Sequence, residues 1–475
     1  MGKFNQFVYD NYSIFKRPAE MPARCLVHFR PSENWNGENF GFDWLRVGDT
    51  NVGQDNHYAK LTGKYKTRKN IVCDNLNKWD KMDDDKTSCS FKKDITMYRD
   101  LLKDRFVTYL FVPWKKPDSR KKEPKNEEKM EVKKTDYTYY VPIMTLKNGN
   151  TANLTLRVEL ENNNNLPIRI ELKQQCGGTN FNISPDTLPV ANGTYNVAIT
   201  CNSTFSELTF IEALAVYIDV KGNEYKLLCG LLRVFPNNRI FNADLLIVNV
   251  TTRPTRTGTT SGDDMSILNN LSDQLLLNYT ITNINISLNF TDFEKHLSPN
   301  KEIIDPNKDK DAHNRVVQQV NRAFIAHVQA NGLPFNHYDN HHKIFLLDER
   351  STLINGRTYD TEHFILLLNQ RLPETLTHEL LHSFLLPHPF VASDLNANAK
   401  YTYKAKKTEN YLDYSHLDNK PRFSTWYWQW EIVWLLLDPA YVMPVEEAIY
   451  APDYIDSPIP IDKFKIEPNE NVLLT

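Results

Sequence analysis

Three histidines stand at spacings that suit a metal ion: His378, His382 and His388, with Glu379 directly after the first. Residues four apart on a helix share one face a turn apart, so His378 and His382 can offer imidazole nitrogens to one ion. His388 follows His382 by six residues, enough to leave the helix, turn and bring a third ring back. Three neutral ligands on zinc leave a fourth place for water and lower its pKa to about 7, and a nearby carboxylate can then take the proton. Glu379 is the candidate base. No cysteine lies beyond residue 229, so a metal in this half of the chain must be held by nitrogen and oxygen.

The elements around these residues are readable in outline. Leu376, Leu380, Leu381 and Phe384 give the histidine helix an apolar face, Pro373 suits its first turn, and Pro387 marks its stop. Upstream, Val316, Val317, Val320, Ala323, Phe324 and Val328 share one face of a helix over 313–331. Between the two helices, apolar runs at 344–347 and 364–368 read as strands, giving an α+β unit over 265–449.

The first half of the chain has a period of two. Residues 25–29, 41–47 and 107–112 read as strands of a small β domain over 1–114, followed by a charged linker over 115–136. Leu154, Leu156, Val158 and Leu160 alternate with Thr155, Arg157 and Glu159, which describes a half-buried strand. Ile168, Ile170 and Leu172, then Tyr195, Val197 and Ile199, repeat the pattern. A hairpin turns at Lys221-Gly222-Asn223. Short strands at this spacing suggest an immunoglobulin-like sandwich over 137–252, with 245–250 its last strand and 253–264 a linker. A Pro- and Asp-rich tail occupies 450–475.

Composition limits the function classes. The 475 residues carry 56 basic and 59 acidic side chains, net charge −3, so the totals hold no electrostatic footprint for nucleic acid. The amino terminus has no apolar h-region and no stretch is long enough to span a membrane. The expectation is synthesis in the cytoplasm without a Sec signal peptide. Cys25, Cys73, Cys89, Cys176, Cys201 and Cys229 are scattered without a C-x-x-C pair and read as single buried thiols. Other polar groupings read as surface. His337, His341 and His342 read as solvated loop residues. Asp305, Asn307, Asp309 and Asp311 resemble the start of an EF-hand loop, but they lack its glycine and have Val316 in place of its glutamate. His416 is a substitute ligand should His388 not reach the metal. The N-x-S/T triplets, such as Asn153-Leu154-Thr155, are expected from an Asn-rich composition.

The string H-E-L-L-H-S-F-L-L-P-H, residues 378–388, resembles the H-E-x-x-H-x-x-G-x-x-H signature of the metzincin metallopeptidases. Residues 410–415, N-Y-L-D-Y-S, are similar to that family's Met-turn, with Leu412 in the methionine place. The resemblance implies a zinc-dependent endopeptidase fold in which His378, His382 and His388 hold Zn2+ and Glu379 activates water. Tyr414 would bind the metal or the oxyanion. Two residues depart from the signature: Leu385 replaces its glycine, and Leu412 its methionine. If the family turn needs a positive φ at 385, leucine there carries strain of about 1 kcal/mol or more. The motifs A-R-C-L-V-H-F-R-P and G-F-D-W-L-R-V-G-D, followed by the sandwich, are similar to proteins encoded beside bacterial contractile, type VI-like secretion systems. That resemblance implies a delivered antibacterial effector, a protein or peptide substrate, and an immunity partner.

The expectation is therefore a multidomain metalloendopeptidase, all-β at its amino-terminal end and metzincin-like at its carboxyl-terminal end. An extended substrate would pair with the strand at 364–368. The alternative is a non-enzymatic adhesion or carrier protein on a degenerate metzincin scaffold.

Overall fold

A computed structural model describes residues 23–52, 56–67, 69–73, 89–112, 114–115, 136–162, 165–304, 309–351, 354–359, 363–392 and 395–444. The expected charged linker beyond Lys115, Asp305, Asn307 and the tail at 450–475 lie outside the described residues.

The alternating strands form two facing sheets. One runs in the order Cys25–Pro31, Thr151–Leu160, Gly193–Cys201, Phe181–Ser184. The other runs Thr187–Leu188, Arg169–Gln174, Thr209–Ile218, Glu224–Val234, Ile143–Leu146, Phe40–Asp43. Leu154, Leu156 and Val158 from the first and Ile170, Ile211 and Leu232 from the second meet in one buried core, as the period of two requires. Among the described residues, two of the strands expected to make a separate domain over 1–114, Cys25–Pro31 and Phe40–Asp43, instead join this sandwich, while Val107–Phe111 pairs with Asp136–Tyr140 in a two-stranded sheet of its own. Cys25 faces Leu160 and Phe40 faces Leu146 across antiparallel ladders. Strand pattern shows which face is buried but not which neighbour covers it, and the neighbour here lies more than a hundred residues away.

The expected boundary after residue 250 is also displaced. Phe241–Arg253 is not the last sandwich strand. It lies inside a third sheet, parallel to both Leu277–Ser287 and His342–Leu347. Phe364–Leu367 follows, also parallel, and Gly356–Tyr359 closes that side in the antiparallel sense. The supposed linker holds the end of this strand, the short strand Arg256–Thr257 and the start of the helix Gly262–Gln274. Strands covered on both faces read as unbroken apolar runs, so sequence alone cannot assign them to a sandwich or a parallel sheet. Leu245, Ile247, Ile344, Leu346, Ile365 and Leu367 face the helices Gly262–Gln274, Thr375–Ser383 and Tyr427–Leu437. Leu246, Val248, Phe345 and Leu366 face the helix Lys310–Ala330 through Val316, Val320 and Phe324. No helix among the described residues is long and apolar enough to cross a membrane.

Gln274, fully buried, joins the sandwich to the third-sheet unit. Its amide nitrogen donates to the carbonyls of Gly37 and Phe423, both at 2.8 Å, and its oxygen accepts from Thr425 N and Oγ1. Gly37 has φ +91°, and a Cβ there would lie 1.9 Å from the Phe423 oxygen, so the junction requires glycine. A second link is ionic. Arg46 donates to Asp43 at 3.1 Å and also to Glu409, which accepts in addition from Asn56 at 2.7 Å. All three charged side chains are at most 2% exposed.

One cysteine expectation is corrected. Cys73 and Cys89, with Cα atoms 6.3 Å apart, form a disulfide, while Cys25, Cys201 and Cys229 are buried thiols and Cys176 is an exposed one.

Removing one partner of a buried ion pair leaves the other uncompensated. Glu409→Ala is accordingly expected to lower unfolding stability by about 3–5 kcal/mol, read from urea denaturation.

Candidate metal centre

The ligand helix, Thr375–Ser383, is anchored by Leu376, Leu380 and Leu381, all fully buried against the third sheet. The same helical phase turns His378 and His382 away from the sheet, and their Nε2 atoms lie 3.2 Å apart. His388 Nε2 lies 3.1 Å from that of His382. His378, His382 and His388 are the one group among the described residues arranged to hold a metal ion, with ligand atoms all within 4.8 Å of one another.

The hydrogen bonds behind these rings decide what the convergence means. His378 Nδ1 lies 2.8 Å from the Tyr411 carbonyl and His382 Nδ1 lies 2.8 Å from that of Leu386. A carbonyl only accepts, so each Nδ1 carries the proton and each Nε2 presents a bare lone pair. Two such lone pairs 3.2 Å apart repel unless a cation sits between them. Burial, the nearby rings and the Arg422 guanidinium hold His378 and His388 well below the usual imidazole range, so both stay neutral. The donor set, three imidazoles of which His378 and His382 have their tautomers fixed, fits a divalent transition metal.

The third ligand is delivered by a left-handed turn. Leu385 N–H donates to the His382 carbonyl at 2.9 Å and Leu386 N–H to that of Leu381 at 3.2 Å, the double closure of a Schellman motif. Leu385 has φ +63°, the conformation for which glycine is usual, and its side chain is 42% exposed. The helix therefore ends at Ser383, four residues before Pro387, and leucine carries the expected strain without filling the metal face.

Glu379 is buried beside the triad. Its Oε2 and its backbone oxygen both lie 2.7 Å from the Thr358 hydroxyl on the edge strand. Burial raises the carboxyl above its ordinary range, and His382 and the Thr358 hydrogen bond oppose that rise. Gly356 on the same strand makes room, because a Cβ there would lie 3.1 Å from Glu379 Cγ and 2.7 Å from Leu367 Cδ2.

The turn beneath the triad is built around Asp413. Its carboxylate accepts from the backbone N–H groups of Lys406, Lys407, Thr408 and Tyr414 at 2.7–3.0 Å, and from the Thr408 hydroxyl. Leu412 is fully buried in the core. The Tyr414 ring lies 4.8 Å from that of His388 and stacks on His378 at 5.8 Å.

The structure brings His378, His382, His388 and Tyr414 together with Glu379 beside them, buries Leu412 in the core, and leaves the other sequence candidates apart. His416 stays outside the ligand group, 6.0 Å from Tyr414 ring to ring, with burial pushing its imidazole down to about 4. His342 is not a solvated loop residue: its Nδ1 lies 2.6 Å from Ser383 Oγ behind the ligand helix. His337 and His341 pack on Tyr338. Asp309 caps the helix Lys310–Ala330 through Ala312 N at 2.9 Å. Phe364–Leu367 is an interior strand, and among the described strands Gly356–Tyr359 forms the edge beside it. Thr358, Glu374, Arg422 and the Tyr411 carbonyl escaped the sequence reading. A backbone oxygen has no sequence signature, and a four-residue edge strand has no usable period.

No protein-family model matches the chain, and no curated protein matches it.

Two measurements test this geometry. The purified protein should retain a divalent metal that a His378→Ala, His382→Ala variant lacks, and metal at a hundred times its Kd should stabilise only the unaltered protein, by about 2.7 kcal/mol. Equal, negligible metal in both would remove the centre. At the turn, Leu385→Gly should hold or raise stability by up to about 1 kcal/mol, while β-branched Leu385→Ile should lower it by about 1–2 kcal/mol in urea unfolding.

Proposed function

We propose that the chain is a zinc-dependent endopeptidase of metzincin type, an immunoglobulin-like sandwich joined to a zinc peptidase unit, hydrolysing peptide bonds of a protein substrate. The observation that carries this reading is the convergence of three imidazole nitrogens beside a buried carboxylate held by its own hydrogen bond.

Zinc held by His378, His382 and His388 supplies a Lewis acid that polarises a carbonyl and acidifies water. Glu379, held by Thr358, takes the proton from the attacking water and passes it to the leaving amine. Its raised pKa suits this exchange, because a base that must also act as an acid works best with a pKa nearer neutrality. The Tyr414 ring packs against His378 and His388, and in this reading its hydroxyl donates to the oxyanion as it forms. Gly356–Tyr359 can pair with an extended substrate, so one strand aligns the peptide and fixes the base. Leu385 keeps the left-handed turn, which favours a working site over a degenerate carrier scaffold.

The amino-terminal motifs that resemble type VI-like secretion proteins support a wider reading. The peptidase would be a delivered antibacterial toxin, exported by a specialised apparatus and restrained at home by an immunity protein.

Cleavage of a casein or proteome mixture by the zinc-loaded protein should fall by about 10²-fold or more in Glu379→Ala, with zinc content unchanged. Tyr414→Phe should lose about 10–10²-fold in kcat with little change in KM. Equal cleavage by the unaltered protein and Glu379→Ala would leave only a structural metal site.

A further inference from the structure

Behind His378, on the side away from its converging nitrogen, lies a buried cation. Arg422 has a side chain 3% exposed, and its Nη1 is 3.4 Å from His378 Nδ1. That nitrogen already donates to the Tyr411 carbonyl at 2.8 Å, so the guanidinium contact is one of charge rather than a second hydrogen bond. Arg422 is fixed from two other sides. Nε and Nη2 lie 3.2 and 3.0 Å from Glu374 Oε1, and Nη1 donates to the Asp413 carbonyl at 3.4 Å. Glu374 immediately precedes the ligand helix, and Asp413 organises the turn, so the guanidinium ties together the two elements that hold His378.

A partner behind a metal-bound imidazole is ordinarily a carboxylate, a carbonyl or water, which leaves the ligand as basic as possible or more so. Here a carbonyl is joined by a group that cannot lose its positive charge. We infer that Arg422 is a positioning residue that also sets the charge of the centre: its guanidinium opposes the arriving cation, and Glu374 is the counterion that limits this opposition. The inference rests on the metal centre proposed above. The fixed charge costs metal affinity, because it stands behind the ring that would hold the ion.

A purely structural Arg422 and a charge-setting one predict opposite signs. Zinc affinity is measured by competition with a fluorescent chelator on the full chain, alongside the thermal unfolding of each metal-free protein. Arg422→Gln should bind zinc about tenfold tighter or more, Glu374→Gln about tenfold weaker, and Arg422→Lys close to the unaltered protein. Loss of an anchor would instead weaken zinc binding in both Arg422→Gln and Glu374→Gln, and that shared direction, or no change in either, overturns the inference. Failure of the unaltered protein to bind zinc overturns this inference together with the reading on which it rests.

Discussion

The hydrogen bond from His378 Nδ1 to the Tyr411 carbonyl, 2.8 Å long and spanning 33 residues, is the constraint on which the site depends. It fixes the tautomer of the first ligand and ties the ligand helix to the turn. Much of the surrounding structure keeps that carbonyl in place. Asp413 gathers the loop from Lys406 to Thr408, Asn410 is held by Gln429 at 2.7 Å, and Glu409 is locked by Arg46 and Asn56. Glu409 and Asp413 are buried carboxylates, costly to desolvate, and each is compensated by several donors. The support for one carbonyl therefore reaches into the amino-terminal segment.

Sequence exposed the chemistry more clearly than the architecture around it. His378, Glu379, His382 and His388 were readable because a helix converts a spacing of four into shared direction, and the six-residue step to His388 leaves room for one turn. The sandwich strands were readable because one face meets water: Thr155, Arg157 and Glu159 mark the outside of Thr151–Leu160. The third sheet was less accessible. Phe241–Arg253 and His342–Leu347 are covered on both faces, so their pattern says "buried" without naming a neighbour. Long-range choices were invisible for the same reason. Nothing near Cys25 announces Leu160, and nothing near Arg46 announces Glu409.

Leu385 shows that a left-handed turn can be kept without glycine. Glycine suits a left-handed turn because it lacks a Cβ, yet the position only requires that the backbone adopt the turn. Here the two Schellman hydrogen bonds, the His382 Nδ1 bond to Leu386 and the Asn398 amide on the Leu385 carbonyl at 2.9 Å hold it there. The strain of a leucine in this turn is offset by neighbouring hydrogen bonds.

The Arg46 to Glu409 pair also has a consequence for how the chain is made. Its members are 363 residues apart, so the guanidinium leaves the ribosome long before its counterion exists. At about 5–20 residues per second, the wait is roughly 20–70 s. During that time the amino-terminal strands can pair only with the sandwich partners that follow them. Arg46 cannot meet Glu409 before then, so the turn beside the histidines gains its ionic support only after most of these residues have been made.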